Sequence, residues 1–230
     1  MAVSIDVVYK TVLSILNKEQ RGYMPPEEFN RIVNHVQLEI FEKYFEDLNQ
    51  LVRQPQTDAD YADRFDYLEE KIAIHNVTNS PTVETAGTAF SFSDLHTLGT
   101  ISYNGSEVQR VSKKEFYNIN KSPLTKPSEA YPIYTLDGSE ITVYPSVIIP
   151  KNLDVSFIEK PTEAEWKFTV DSNTGILLYD SSSSDIDLHQ SEQSEIILKV
   201  LMYAGIALRD MEIVQVASAR VKQEDINQKS

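Results

Sequence analysis

The sequence predicts an α+β protein: a helical bundle formed by N- and C-terminal helices, with a β-rich domain inserted between them. Three observations predict it. Apolar residues recur at helical spacing over residues 1–80 and again over 189–230, whereas over 81–188 they alternate and turn-forming residues recur. A chain of 230 residues can bury roughly 70% of its unfolded surface and so build a core without help. Cysteine is absent, so neither disulfides nor Cys-ligated metals are available to hold a fold that lacked such a core.

Each element follows from local chemistry. Val7, Val8, Val12, Leu13, Ile15 and Leu16 line one broad face of a helix over residues 3–18. Pro26 opens a second helix, with Glu27 and Glu28 at its positive dipole end, and Pro55 closes it. That helix has two apolar stripes. Phe29, Ile32, Val33, Val36, Ile40, Tyr44, Leu48 and Leu51 form one; Leu38, Phe41, Phe45 and Val52 form the other, so two packing partners are expected. Tyr61, Phe65, Leu68 and Ile72 predict a third helix over 59–74.

In the middle block, Asn104-Gly105 and Asp137-Gly138 each sit between alternating runs and predict hairpins, because both turn positions favour positive φ. Residues 171–175 predict a looser turn, and Leu153, Val155 and Phe157 a half-buried strand ended by Lys160-Pro161. Beyond the polar run 180–185, Ser191 is read as the N-cap of a helix apolar on most of its circumference, which should therefore lie centrally. A last helix is expected over 212–225.

Charge narrows the function. With 35 acidic against 21 basic residues the net charge is −14, which disfavours binding to phosphate backbones but suits a surface that nucleic acid slides past. The N-terminus lacks a basic region before its apolar residues and is not expected to be a signal peptide, and no apolar run reaches the length of a membrane span.

No catalytic, cofactor or metal site is expected. His35, His75, His96 and His189 are scattered without ligand spacing, and His35 is read as a packed or partly exposed side chain. Asp171-x-Asn173-x-Gly175 opens like a calcium loop but lacks a suitably placed bidentate acid, and Asp180, Asp185 and Asp187 are read as a solvated acidic linker. Phosphate-cradling glycine motifs and a nucleophile elbow are absent. Glu163-Ala-Glu165-Trp166 places two acids beside an aromatic as sugar sites do, but alternation puts Trp166 into a domain contact. Arg209, Arg220, Lys222 and Lys229 stand against the acidic background, as a solvated helix face or as a dock for an acidic partner.

Three stretches, Ile141-Thr-Val-Tyr-Pro145, then Leu153 to Pro161 followed by Glu163-Ala-Glu-Trp166, and then Ile196 to Asp210, resemble in their order the tail adaptor or connector proteins of bacteriophages. The stretch Tyr9 to Leu48, especially Asn17 to Phe29, is similar to virion proteins of crAss-like and other short-tailed phages. The resemblance implies a non-enzymatic ring subunit of the virion, made in the host bacterial cytoplasm. Its partners would be further copies of itself, typically twelve, the portal protein and other tail or ring proteins. DNA would only pass through its channel. Interface residues would come from Phe41, Phe45, Trp166, Arg209, Arg220 and Lys222. The alternative reading is a glycan-binding or glycan-degrading tail component using Glu163 and Glu165, with Trp166 and the tyrosine-rich β block for binding.

Overall fold

Proline placement and apolar spacing set the helices where the sequence predicts them. Residues 2–18, 23–53, 59–172, 175–207 and 215–223 are described in the computed structural model. Helix α1 (Ile5–Lys18) buries Ile5, Val8, Tyr9, Val12 and Leu16, a spacing of three and four that keeps one face inward. Helix α2 (Pro26–Arg53) starts at Pro26 and buries Phe29, Val33, Val36, Ile40, Phe41 and Tyr44. The second stripe closes only in part, since Leu38 and Val52 remain exposed. Helix α3 (Ala59–Ala73) packs on α2.

The chain divides into two units: Met1–Ile74 with Pro161–Ser230, and His75–Lys160. Both chain ends belong to the first. The β-rich unit is thus an insertion in sequence, but it ends at Lys160 and not at residue 188, and it begins at His75 and not at residue 81. Residues 161–188 group with the helices because side chains of α2 supply the partner that a neighbouring strand would otherwise supply, as described below.

Within the inserted unit, β1 (Asn76–Asn79), β2 (Leu95–Tyr103), β3 (Ser106–Glu107) and β7 (Leu153–Glu159) form a sheet in the order β1-β7-β2-β3. A second sheet joins β4 (Gln109–Arg110), β5 (Ile133–Asp137) and β6 (Glu140–Tyr144). Asn104 (φ 49°) and Gly105 (φ 77°) make the β2–β3 turn as expected, whereas at the β5–β6 turn only Gly138 has positive φ (64°): Asp137 pairs with Glu140 as the last residue of β5, so the two turn residues are Gly138 and Ser139 and not Asp137 and Gly138. Strand β7 alternates as expected, with Leu153, Val155 and Phe157 inward. They meet Ile101, Val108, Tyr134, Ile141, Val143 and Phe90 in one core.

Gly99 lies at a register shift between β2 and β7, where a Cβ would come within 2.8 Å of the Ser156 carbonyl. A short helix went unpredicted. Helix α4 (Lys113–Ile119) is too short to show periodicity, but a capping box announces it: the Ser112 hydroxyl accepts from Glu115 N–H while the Glu115 carboxylate accepts from Ser112 N–H.

In the first unit, helix α5 (Gln193–Ala207) packs on both α1 and α2, burying Ile196, Val200, Leu201 and Ala204. Its N-terminus differs from expectation. A 3₁₀ turn (Gln190–Glu192) precedes it, and His189 is the cap, its Nδ1 accepting from Ser191 N–H. A further helix spans 215–223. Among the described residues no helix is long and apolar enough to cross a membrane.

A charged array joins α5 to its neighbours. Lys199, only 4% exposed, donates to Glu39 (3.0 Å) and pairs with Glu195 (3.4 Å). Glu195 also accepts from Lys43 (3.2 Å), and Glu39 accepts from the Tyr203 hydroxyl (3.0 Å). Lys71 of α3 pairs with buried Glu192, its ammonium 4.4 Å from the Tyr67 ring centre. Three ammonium groups thus meet three carboxylates, which is the condition for burying charge without a large penalty. The Tyr44 hydroxyl is buried beside Glu192 and Glu195 but has no partner in hydrogen-bond geometry among the described residues; desolvation first, then those carboxylates, raise its pKa well above the usual tyrosine value.

Candidate partner-binding surface

The surface begins with three amides on one face of α2. Asn30, Asn34 and Gln37, spaced four and three residues apart, lie in a row that faces the extended segment 162–166. Asn34 accepts from Ala164 N–H (2.8 Å) and donates to the Ala164 carbonyl (2.9 Å). Asn30 does the same for Trp166, accepting at 2.9 Å and donating at 3.3 Å, and Gln37 donates to the Thr162 carbonyl at 2.7 Å. A side-chain amide has one donor and one acceptor side by side, so each Asn satisfies both backbone groups of alternate residues. The helix thereby behaves as a strand edge. On the far side, Glu165 and Ser184 exchange backbone bonds of 3.1 and 2.9 Å, and Ile186 pairs likewise with Val3.

This clamp fixes the base of a hairpin made of β8 (Phe168–Val170) and β9 (Leu177–Tyr179), closed through Gly175 (φ 69°). Trp166 anchors it, 4% exposed, its ring centre 4.4 Å from that of Tyr9 and 5.9 Å from that of Phe168, its Nε1 donating to Asp6 at 3.2 Å. Beyond Trp166 the hairpin leaves the core. Its strands pair only with each other among the described residues. Phe168 and Tyr179 are opposite partners at roughly 40% exposure, and Val170 on the same face is 57% exposed. Leu178, on the other face, is 50% exposed. A two-stranded ribbon with solvent on both faces is marginally stable in water, and contiguous exposed apolar groups of this kind mark interaction sites.

Acidic groups flank the apolar face. Glu163 and Glu165 are exposed and Asp180 is half-buried, against Lys167, which pairs with Glu165 at 3.3 Å. The Asp180 carboxyl is held below the usual carboxylate range by the backbone and side-chain donors of Ser182, so it stays ionised at neutral pH. The acids of 180–187 are not a solvated linker. Asp185 accepts from Ile5 N–H (3.0 Å) at the start of α1, and Asp187 from Thr162 N–H (3.4 Å), each closing a specific loop. Among the described residues no three His, Cys, Asp or Glu gather as a metal site, and Asn173 of the calcium-like string lies outside them.

The expected interface residues separate into three groups. Phe41 is fully buried against Phe45, with ring centres 5.1 Å apart, and Trp166 is the anchor just described. Both are occupied by the chain's own core and have no surface to offer a partner; Phe45 is half-buried. Arg220 and Lys222 are exposed on the helix over 215–223, while Arg209 lies outside the described residues. Glu163 and Glu165 project from the same side of one extended segment, side by side rather than opposed across a cleft. His35 is exposed and edge-on to Tyr203, at 5.2 Å between ring centres.

The hairpin residues were not among the expected interface. Their signal was present as Phe168-Thr-Val170 and Ile176-Leu-Leu-Tyr179, two short apolar runs around a turn with no third run nearby to cover them. The arrangement can hold a partner by apolar contact and charge. No protein-family model matches the sequence, and no curated protein matches it.

Proposed function

We propose that this chain is a non-enzymatic assembly subunit of a bacteriophage virion, an adaptor or ring protein of the head-to-tail connector that docks to the portal and continues the DNA channel. The observation that carries association is the β8–β9 hairpin, anchored rigidly at Trp166 yet left with Phe168, Val170, Leu178 and Tyr179 in solvent. The connector identity draws on the sequence resemblance set out above. An acidic subunit suits a channel wall, since like charge repels passing phosphates.

Mixing the purified chain with a portal ring and weighing the products by sedimentation and electron microscopy tests the reading. Stoichiometric rings on the portal are expected. A protein that stays monomeric with and without portal, or that turns over glycan in a manner abolished by Glu165→Gln, refutes it.

A further inference from the structure

We infer that the open face of the β8–β9 hairpin is covered, in the assembled state, by the helix over 215–223 of a second copy of this chain. The inference rests on the ring reading above and names the contact that would build such a ring. Four features of the two surfaces lead to it.

The first is geometric. In the helix over 215–223, Ala217 is 4% exposed, so the helix is seated by that side. Val216, Ala219 and Arg220, at spacings of three and four, form an exposed stripe centred roughly 100° around the helix from Ala217, with Val216 at 62% exposure. The second is size: the described part of the helix runs about 13 Å and three strand residues about 10 Å, so it is long enough to cover them. Ala219 in the middle of the stripe allows close approach to a sheet face.

The third is charge. Segment 163–180 carries Glu163, Glu165, Asp171 and Asp180 against the single cation Lys167, while 215–223 carries Arg220 and Lys222 and no acid. Neither cation makes an ion pair with a described residue. In a chain of net charge −14, where copies repel one another in general, this is a place where one copy can attract the next. The fourth is symmetry. Hairpin to helix is a contact between two different surfaces, and such head-to-tail contacts propagate and close into rings.

The absence of cysteine makes the contact directly testable. Val170→Cys and Val216→Cys alter two exposed positions, and circular dichroism checks that both variants keep the native fold. The two purified single variants are mixed, with portal ring added in a parallel sample, and oxidised. The expected product is a covalent heterodimer, and the double variant gives a ladder of multimers. Arg220→Glu with Lys222→Glu is expected to lower cross-linking about tenfold, as is raising salt to about 0.5 M.

Three results overturn the contact. One is an intrachain disulfide as the main product of the double variant. Another is multimers of the wild-type chain without any cross-link between the single variants, in which case the ring reading stands and this interface falls. The third is a hairpin that cross-links to another virion protein and never to a second copy. A monomer indifferent to portal in every sample removes both readings together.

Discussion

Replacing Asn34 by Ala should release the extended segment from α2, and the size of the effect can be worked out bond by bond. Asn34 makes two hydrogen bonds to Ala164, at 2.8 and 2.9 Å, and Ala164 is 1% exposed. Truncation leaves one N–H and one carbonyl without partners in a dry setting, at roughly 1–3 kcal/mol each. A water entering the vacated space offsets part of this, and the better helix propensity of Ala returns about 0.5 kcal/mol. A net loss of about 3 kcal/mol is expected. For a unit of this size that corresponds to a fall in Tm of roughly 6–10 °C. Thermal unfolding followed by far-ultraviolet circular dichroism measures it, and amide hydrogen exchange at Ala164 gives a local reading, expected to quicken by at least about tenfold. Asn34→Asp should be no milder, since it keeps the acceptor for Ala164 N–H but turns a second acceptor towards the Ala164 carbonyl. Exposed Asn49, on the same helix, serves as control: Asn49→Ala should stay within about 0.5 kcal/mol. An Asn34→Ala protein that melts within about 2 °C of wild type, with Ala164 still protected, would show that the amide row does not hold the segment.

Other expectations concern charge, hydroxyl and backbone. Lys199→Met leaves Glu39 and buried Glu195 short of a cation and should destabilise by about 3–5 kcal/mol, whereas Lys199→Met with Glu39→Leu should recover most of that loss in urea titrations. Tyr44→Phe removes a buried hydroxyl without a partner and should leave stability unchanged or raise it by about 1 kcal/mol; a loss above about 1 kcal/mol would mean that the hydroxyl is bonded. Because burial raises the pKa of Tyr9 and Tyr44 in the folded state, their contribution is intact below about pH 10 and declines as pH rises further, when unfolded tyrosines ionise first. The part of the tyrosinate absorbance that comes from buried tyrosines should therefore appear together with the loss of circular dichroism on alkaline titration, later in Tyr44→Phe. Gly99→Ala drives a methyl to 2.8 Å from the Ser156 carbonyl and should destabilise the inserted unit by about 2 kcal/mol or more, read from exchange of β2 and β7 amides.

Legibility in the sequence followed the range of the interactions. The turns at Asn104-Gly105 and Asp137-Gly138 depend on φ at one or two residues, so composition alone places them. Helices α1, α2, α3 and α5 show because apolar residues recur along each at the helical period. What stayed hidden depended on partners far along the chain. Asn30, Asn34 and Gln37 look like ordinary polar positions on a helix, yet they bond residues 125 to 136 positions away and draw 161–188 out of the β block. Trp166 was read from alternation as a contact residue and from the resemblance as an interface residue; it is buried, and its partners Tyr9 and Asp6 lie about 160 residues away, beyond the reach of pattern. Lys71 and Lys199 are buried and Lys43 partly so, and the carboxylates that oppose them come from other helices, which spacing along one helix does not reveal.

The manner in which the inserted unit departs from and rejoins the rest of the chain has a consequence of its own. Its first strand β1 and last strand β7 are antiparallel neighbours, and Glu159 N–H donates to the His75 carbonyl at 2.9 Å. The two covalent junctions therefore sit about one strand spacing, roughly 5 Å, apart. A gap so narrow can be bridged by two or three glycines, so the whole stretch 76–159 is interchangeable cargo. It can be exchanged for another domain with adjacent termini, or for a fluorescent tag, without stretching the two junctions apart.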